Sequence, residues 1–239
     1  MKIFTFGVSG IFESIFGMRN PKNSWKLSDS IIFDSNNPTR EMVDHKFVNE
    51  IKYGNDVLLG DKDLKLSQNL IKAGNEHMKF MRMIQVWCDM NMTRFFWSEY
   101  DTYHFNTKNS CSTMHKLLNP KNEITLDMFD YYKEDEDVVK SVVDRLNKIR
   151  EEFLNTKDFE EQSYLKRRAK CLLFEGFLQL RTVNTNYAEI RNIVLQRNKH
   201  QMKKDWQDTF CKWATTLPYA KELIFCGIED VYNRLVGDE

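Results

Sequence analysis

The sequence predicts an α+β domain, and three observations carry that prediction. The N-terminus is a short aromatic and β-branched stretch, a second alternating stretch follows residue 77, and the later half repeats apolar residues every three or four positions. With 239 residues, 41% of them hydrophobic and only nine Gly and four Pro, the chain can bury a sizeable core. No internal repeat or low-complexity linker marks a boundary, which predicts one domain spanning 1–239.

The elements follow in order. Lys2 to Val8 alternates in the manner of a strand, with Gly7 and Gly10 ending it. Residues 17–30, rich in Asn, Ser, Pro and Gly, read as a loop of the kind that often carries ligand contacts. Residues 62–73 place Leu66, Leu70 and Ala73 on one helical face, and Gly74 supplies the stop. Met78 to Met90 alternates again, with Phe80, Ile84, Val86 and Cys88 on one side; Met81 and Trp87 on the other imply a strand covered on both faces. Asp137 to Phe153 is the clearest helix, because Val139, Val143, Leu146 and Ile149 recur on one face. Three helical patterns close the chain: Tyr187 to Val194, Trp206 to Leu217 and Leu223 to Leu235, with Pro218 separating the last two.

Composition excludes several classes of partner. Lys plus Arg equals Asp plus Glu at 35 each, so no global field draws the chain onto DNA or an anionic membrane, and an anionic ligand must be met by a local pocket. Five Cys with no C-x-x-C pair fit neither a disulfide framework nor a zinc ribbon and point to a reducing cytoplasm. No apolar run approaches the roughly 20 residues of a membrane span, and the N-terminus lacks a clear cleavage site, so neither export nor anchoring is expected. P-loop, dinucleotide-binding and H-E-x-x-H motifs are absent, and the five His are too dispersed to propose a metal.

Three stretches hold more functional side chains than a core requires. Arg94 to His115 gathers Trp97, Glu99, Tyr100, Asp101, Ser112 and His115, a density that suits a nucleotide or, equally, a polar surface segment. Gln179 to Tyr187 sets Arg181 and Asn184 before a helix, where free amides form an anion site or, in the commoner structural role, Asn184 or Thr185 caps the helix. Gln196 to His200 extends the same helix with Arg197, Lys199 and His200, as a ligand contact or a solvated end. Cys111 beside His115 has the composition of a nucleophile and base pair, against the commoner role of Cys as a small buried residue.

Taken together, these stretches resemble the flavin-dependent thymidylate synthase (ThyX) family over most of residues 50–217. The helix ending at Gly74 and the following strand fit the family's opening. Trp97-Ser98-Glu99-Tyr100 stands in the place of its Arg-His-Arg motif and Ser112-Thr113-Met114-His115 in the place of Ser-x-Arg-Tyr. Arg181-Thr182-Val183-Asn184 is similar to its Thr-x-Asn turn, and Leu195 through His200 to Trp206 to its final helix. The runs NSCSTMH, TVNTNY, QRNKH and LPY also resemble proteins encoded by phages of Gram-positive bacteria.

The resemblance implies a central antiparallel or mixed sheet with flanking helices and a helical C-terminal part. It further implies a homotetramer, FAD as cofactor and a dUMP-like pyrimidine deoxynucleotide as ligand, modified at the 5-position in phage nucleotide metabolism. In that reading Ser112, His115, Arg181, Asn184, Arg197 and His200 hold the nucleotide. Glu99, Tyr100 and Asp101 orient the ring or move a proton, a role that a carboxylate raised by an aromatic pocket would suit. The departures support a second reading, a non-catalytic protein that sequesters a nucleotide. The cationic motif is replaced by an acidic, aromatic run, Met114 and Gln196 stand where the family has Arg, and Arg197 is displaced by one position. Carboxylates in place of cations would reverse an attraction of several kcal/mol on a diphosphate, at roughly 4 kcal/mol per close pair in an effective dielectric near 20. FAD in the family's pose then requires other cations, for which Arg94, Arg181, Arg191 and Arg197 are the candidates.

Overall fold

The computed structural model describes residues 1–32, 57–121 and 123–237. Residues 50–56 of the family-like stretch lie outside the described residues. An antiparallel sheet with flanking helices gives the α+β class. Its four strands run in the order β1-β4-β6-β5, where β1 is Lys2–Ser9, β4 Gln85–Thr93, β5 Thr107–Ser110 and β6 Leu178–Asn186. A small antiparallel pair joins β2 (Ile31–Ile32) to β3 (Val57–Leu58). The chain divides into two compact units, one built chiefly from residues 90–102 and 109–181, the other from 3–89, 103–108 and 182–239.

In the first unit, α3 (Arg94–Tyr100) starts on Thr93, whose hydroxyl accepts from the Phe96 amide. The short α4 (Thr113–Lys116) follows β5. The periodic stretch folds as α5 (Glu136–Asn155) and buries Val139, Val143, Leu146 and Ile149. Against it packs α6 (Phe159–Leu172), whose start is fixed by the Asp158 carboxylate accepting from the Glu161 amide at 2.7 Å. Leu165, Ala169 and Leu173 join the α5 face and Phe129 in one apolar cluster. Sequence reasoning passed over α6 because charged residues occupy most of its turns, and only Leu165 and Ala169 are buried within it.

In the second unit, β1 ends at Gly10, not Gly7. Gly10 has φ 80°, and a Cβ there would lie 2.6 Å from the Met83 carbonyl oxygen, so only glycine fits the turn into α1 (Ile11–Gly17). The loop 17–30 spends its polar groups on α2 (Asp61–Lys72). Arg19 and Asp63 form a buried ion pair at 2.5 Å with side chains 4% and 0% exposed, and the Ser28 hydroxyl and Ser30 amide donate to the same carboxylate. The buried face of α2 is therefore Asp63, Ser67 and Ile71, not the predicted Leu66, Leu70 and Ala73. Apolar spacing could not reveal a face built on a buried ion pair.

Three further expectations are corrected. The long strand begins at Gln85, because Met78–Met83 coils as a 3-10 helix that stacks Met78 and Met81 three residues apart, while the Ser14 hydroxyl donates to the Phe80 carbonyl. Within β4, Val86, Cys88, Met90 and Met92 are fully buried, but Trp87 is 40% exposed, so the opposite face is not fully covered. Gln179 to Asn186 is the strand β6 rather than a turn. Its β-branched Val183 and Thr185 are buried, and Asn186, not Asn184 or Thr185, caps α7 (Tyr187–Arg197) by accepting from the Glu189 amide. The C-terminal patterns are helical only in part. Lys203–Asp205 leads into a π-helix over Trp206–Cys211, and Leu223, Ile224 and Phe225 are buried in turns before the last helix, Glu229–Val236. Arg191 donates to the Ile224 carbonyl at 2.6 Å, and Gly227 has φ 81°, so that apolar run packs without a helix.

Candidate functional site: a basic cavity in the first unit

Helix α6 presents its basic residues in two directions. Arg168 pairs with Glu152 of α5 at 3.3 Å, whereas Lys166, Arg167 and Lys170 line a cavity of about 650 Å³. Arg94 and Arg181 complete the cationic lining, and Thr113, Ser163 and Gln179 add polar atoms. The lining thus holds five cations and, among the described residues, no carboxylate. Two of the five are paired with carboxylates outside the lining, Arg94 with Glu175 at 3.7 Å and Arg181 with Asp101 at 3.1 Å, which leaves the α6 residues to carry most of the local positive field, the arrangement expected of a pocket for an anion.

The two arginines are held by separate networks. Arg94 Nη1 donates to the Leu173 carbonyl at 2.7 Å, and the Arg94 amide donates to the carbonyls of Glu175 and Phe177, which fixes the start of α3 to the approach of β6. Arg181 lies 4.3 Å over the Trp97 ring, donates twice to the Gln179 side-chain oxygen and reaches both oxygens of Asp101 at 3.1 Å. Trp97 Nε1 donates to the Gln179 carbonyl, so stack and strand are tied together.

The other predicted residues of this unit fall around that frame. Tyr100 is fully buried, stacked on Phe96 with ring centroids 5.6 Å apart and edge-on to Trp97. Glu99 is half-buried on α3, and its carbonyl accepts from the Thr102 hydroxyl. Ser112 and Cys111 line a second, smaller cavity of about 270 Å³. His115 lies in α4, and its side chain is outside the described residues, as is any pairing with Cys111.

Asn184, Arg197 and His200 belong to the second unit. Asn184 Nδ2 donates to the Val86 carbonyl across the β4–β6 pair. Arg197 sits 4.5 Å over the Trp206 ring, donates to the Tyr103 hydroxyl at 2.9 Å and has His200 Nε2 2.7 Å from its Nη1. The Met202 amide donates to His200 Nδ1. The Tyr103 hydroxyl in turn donates to Gln196, so the motif around Gln196 to His200 is an aromatic and guanidinium cluster. The structure therefore groups Asp101, Ser112 and Arg181 in one unit and Asn184, Arg197 and His200 in the other.

Lys166, Arg167 and Lys170 were missed by sequence reasoning. A signal existed: the run Lys166-Arg167-Arg168 with Lys170 sits on one helix among acidic residues, and its 166, 167, 170 spacing covers about one helical face. Among the described residues no group of three His, Cys, Asp or Glu is placed to hold a metal, and no helix is long and apolar enough to cross a membrane.

This architecture is similar to that of solved flavin-dependent thymidylate synthases. Two crystal structures of ThyX from Helicobacter pylori, each with FAD and dUMP, are similar to the chain. One has a TM-score of 0.62 at 17% identity, covering 94% of this chain and 98% of that one, and the other 0.64 at 17%, covering 97% and 99%. No protein-family model matches the sequence, and no curated protein matches it. At that identity the likeness is one of fold.

Proposed function

We propose that the protein binds a pyrimidine deoxynucleotide of the dUMP kind, with the phosphate among Arg94, Lys166, Arg167, Lys170 and Arg181. The observation that carries this reading is the cavity of five cations without a lining carboxylate. Its volume of about 650 Å³ lies within the roughly 300–1,000 Å³ of small-molecule pockets. The dUMP in the similar ThyX structures supports the choice of nucleotide. Calorimetry on the full chain tests it: dUMP should bind, and Lys170→Glu should weaken binding at least ten-fold, about 1.4 kcal/mol. Absence of binding by dUMP and by inorganic phosphate would overturn it.

FAD does not fit the segment that resembles the family's cationic motif. Glu99 brings a carboxylate there, Tyr100 is buried, and Asp101 is engaged with Arg181. These features favour sequestration of the nucleotide over modification of its base at the 5-position. In the sequestering reading Ser112, His115, Arg181, Asn184, Arg197 and His200 act only in binding or support. Incubation of dUMP with the protein, followed by mass spectrometry of the released molecule, separates the two: unchanged dUMP supports a binder, and a product altered at C5 supports an enzyme. A homotetramer and a phage role belong to the same proposal, and native mass spectrometry reads the former directly.

A further inference from the structure

The cations of the basic cavity outnumber what one phosphate group can answer, and three of them stand along one helix. We infer that the cavity takes a condensed phosphate chain, so that the triphosphate form of the nucleotide binds more tightly than the monophosphate. This rests on the reading that the cavity holds the phosphate end of a nucleotide.

Charge sets the first condition. Arg94 and Arg181 are offset by Glu175 and Asp101, so of the five lining cations a formal excess of three remains. That excess is Lys166, Arg167 and Lys170. Among the described residues none of the three is paired with a carboxylate, and the Lys166 ammonium lies 5.2 Å over the Phe153 ring instead. A phosphate monoester carries about −1.5 to −2 at pH 7, and each phosphate added in a condensed chain brings at least one charge more, so a monophosphate leaves part of the excess unanswered and a triphosphate answers all of it.

Spacing sets the second condition. Positions 166, 167 and 170 fall on one face of α6, and a rise of about 1.5 Å per residue spreads them over roughly 6 Å along its axis. Like charges three and four residues apart weaken a helix, so this row destabilises α6 until an anion lies along it. The helix dipole accounts for Lys170, which stands in the last turn. It does not account for Lys166 and Arg167, one turn earlier, and the neighbouring Arg168 is the cation that pairs with Glu152. Arg167 and Lys170 are exposed, so the wall is open to solvent and an elongated chain can lie along it. Ser163, one turn before Arg167, adds a hydroxyl at the end of the row.

Cys171 makes the test specific to this site, because it lines the basic cavity while Cys111 lines the smaller one. The full chain is titrated calorimetrically with orthophosphate, tripolyphosphate, citrate, dUMP and dUTP, in buffer free of divalent cations. Citrate supplies a multiply charged anion without a phosphate chain. Tripolyphosphate should bind about ten-fold or more tighter than orthophosphate and citrate, and dUTP about ten-fold or more tighter than dUMP. In Lys166→Gln/Arg167→Gln the advantage of dUTP over dUMP should fall to about three-fold or less. Should that variant fail to fold, iodoacetamide labelling of the wild-type protein locates the chain: saturating tripolyphosphate should slow modification of Cys171 by about five-fold or more and leave that of Cys111 unchanged. Equal binding of dUMP and dUTP overturns the inference while leaving the nucleotide reading intact. Equal binding of citrate and tripolyphosphate overturns it too, since charge alone then suffices, and so does labelling of Cys171 that tripolyphosphate does not slow. Failure of all five ligands to bind overturns both readings.

Discussion

At the scale of single residues, Asp101 is the most informative position. Arg181 is already held by the Trp97 ring and by Gln179, so the remaining effect of the Asp101 carboxylate is to offset the charge that Arg181 brings to the cavity. Its side chain is 45% exposed, and solvent screening limits the interaction to about 1 kcal/mol. Asp101→Asn should therefore tighten inorganic phosphate and dUMP by roughly two- to five-fold, with a steeper dependence on salt. Weaker binding on titration would mean that the carboxylate is needed to place Arg181. The cysteines offer a second check at this scale. Burial pushes the thiols of Cys88 and Cys211 up to about 12, while Cys171 is exposed and Cys111 half-buried. Because the thiolate is the reactive form, labelling with iodoacetamide at pH 8 and peptide mapping should find Cys171 and Cys111 modified, and Cys88 and Cys211 untouched until the protein unfolds.

At the scale of elements, the joint between loop 17–30 and α2 depends on Asp63. Burial alone would raise its pKa, but hydrogen bonds from Ser28, Ser30 and Arg19 outweigh that and hold it below the ordinary carboxylate value. A folded-state pKa lower than the unfolded one gives stability that is present above the unfolded value and lost as pH falls through the folded one. Asp63→Asn leaves the Arg19 charge buried without its counter-ion and should cost about 3–5 kcal/mol, read by urea denaturation at pH 7. The difference from wild type should shrink below about pH 4. How legible an element was in the sequence follows from what builds it. Lys2–Ser9 and Glu136–Asn155 rest on apolar periodicity and could be read directly. The α2 face rests on a charge pair, and β6 carries Thr and Asn residues whose composition also describes caps and turns, so neither could be read from pattern alone.

At the scale of the whole molecule, the sequence resemblance and the similar ThyX structures agree on architecture, and the α+β class follows from both. The candidate site was legible only in part. Arg181 lines the basic cavity and Ser112 the smaller one, and both stand among polar and aromatic neighbours in sequence, whereas Asp101 lines neither and meets the basic cavity only through Arg181. Lys166, Arg167 and Lys170 became site residues only when α5 and α6 packed together and turned one basic face into a cavity wall. A formal charge of zero over the chain concealed that asymmetry, since a sum over residues carries no information about where in space they gather.

The Arg19–Asp63 joint also governs how this part of the chain opens. The Asp63 carboxylate receives the amides of Asp29 and Ser30, and the Asp29 carboxylate receives those of Lys62 and Asp63, so each side supplies the other's acceptors. Neither can release its partner's amides alone. These four protons should exchange with deuterium as a single cooperative set, and acid should loosen all of them in concert.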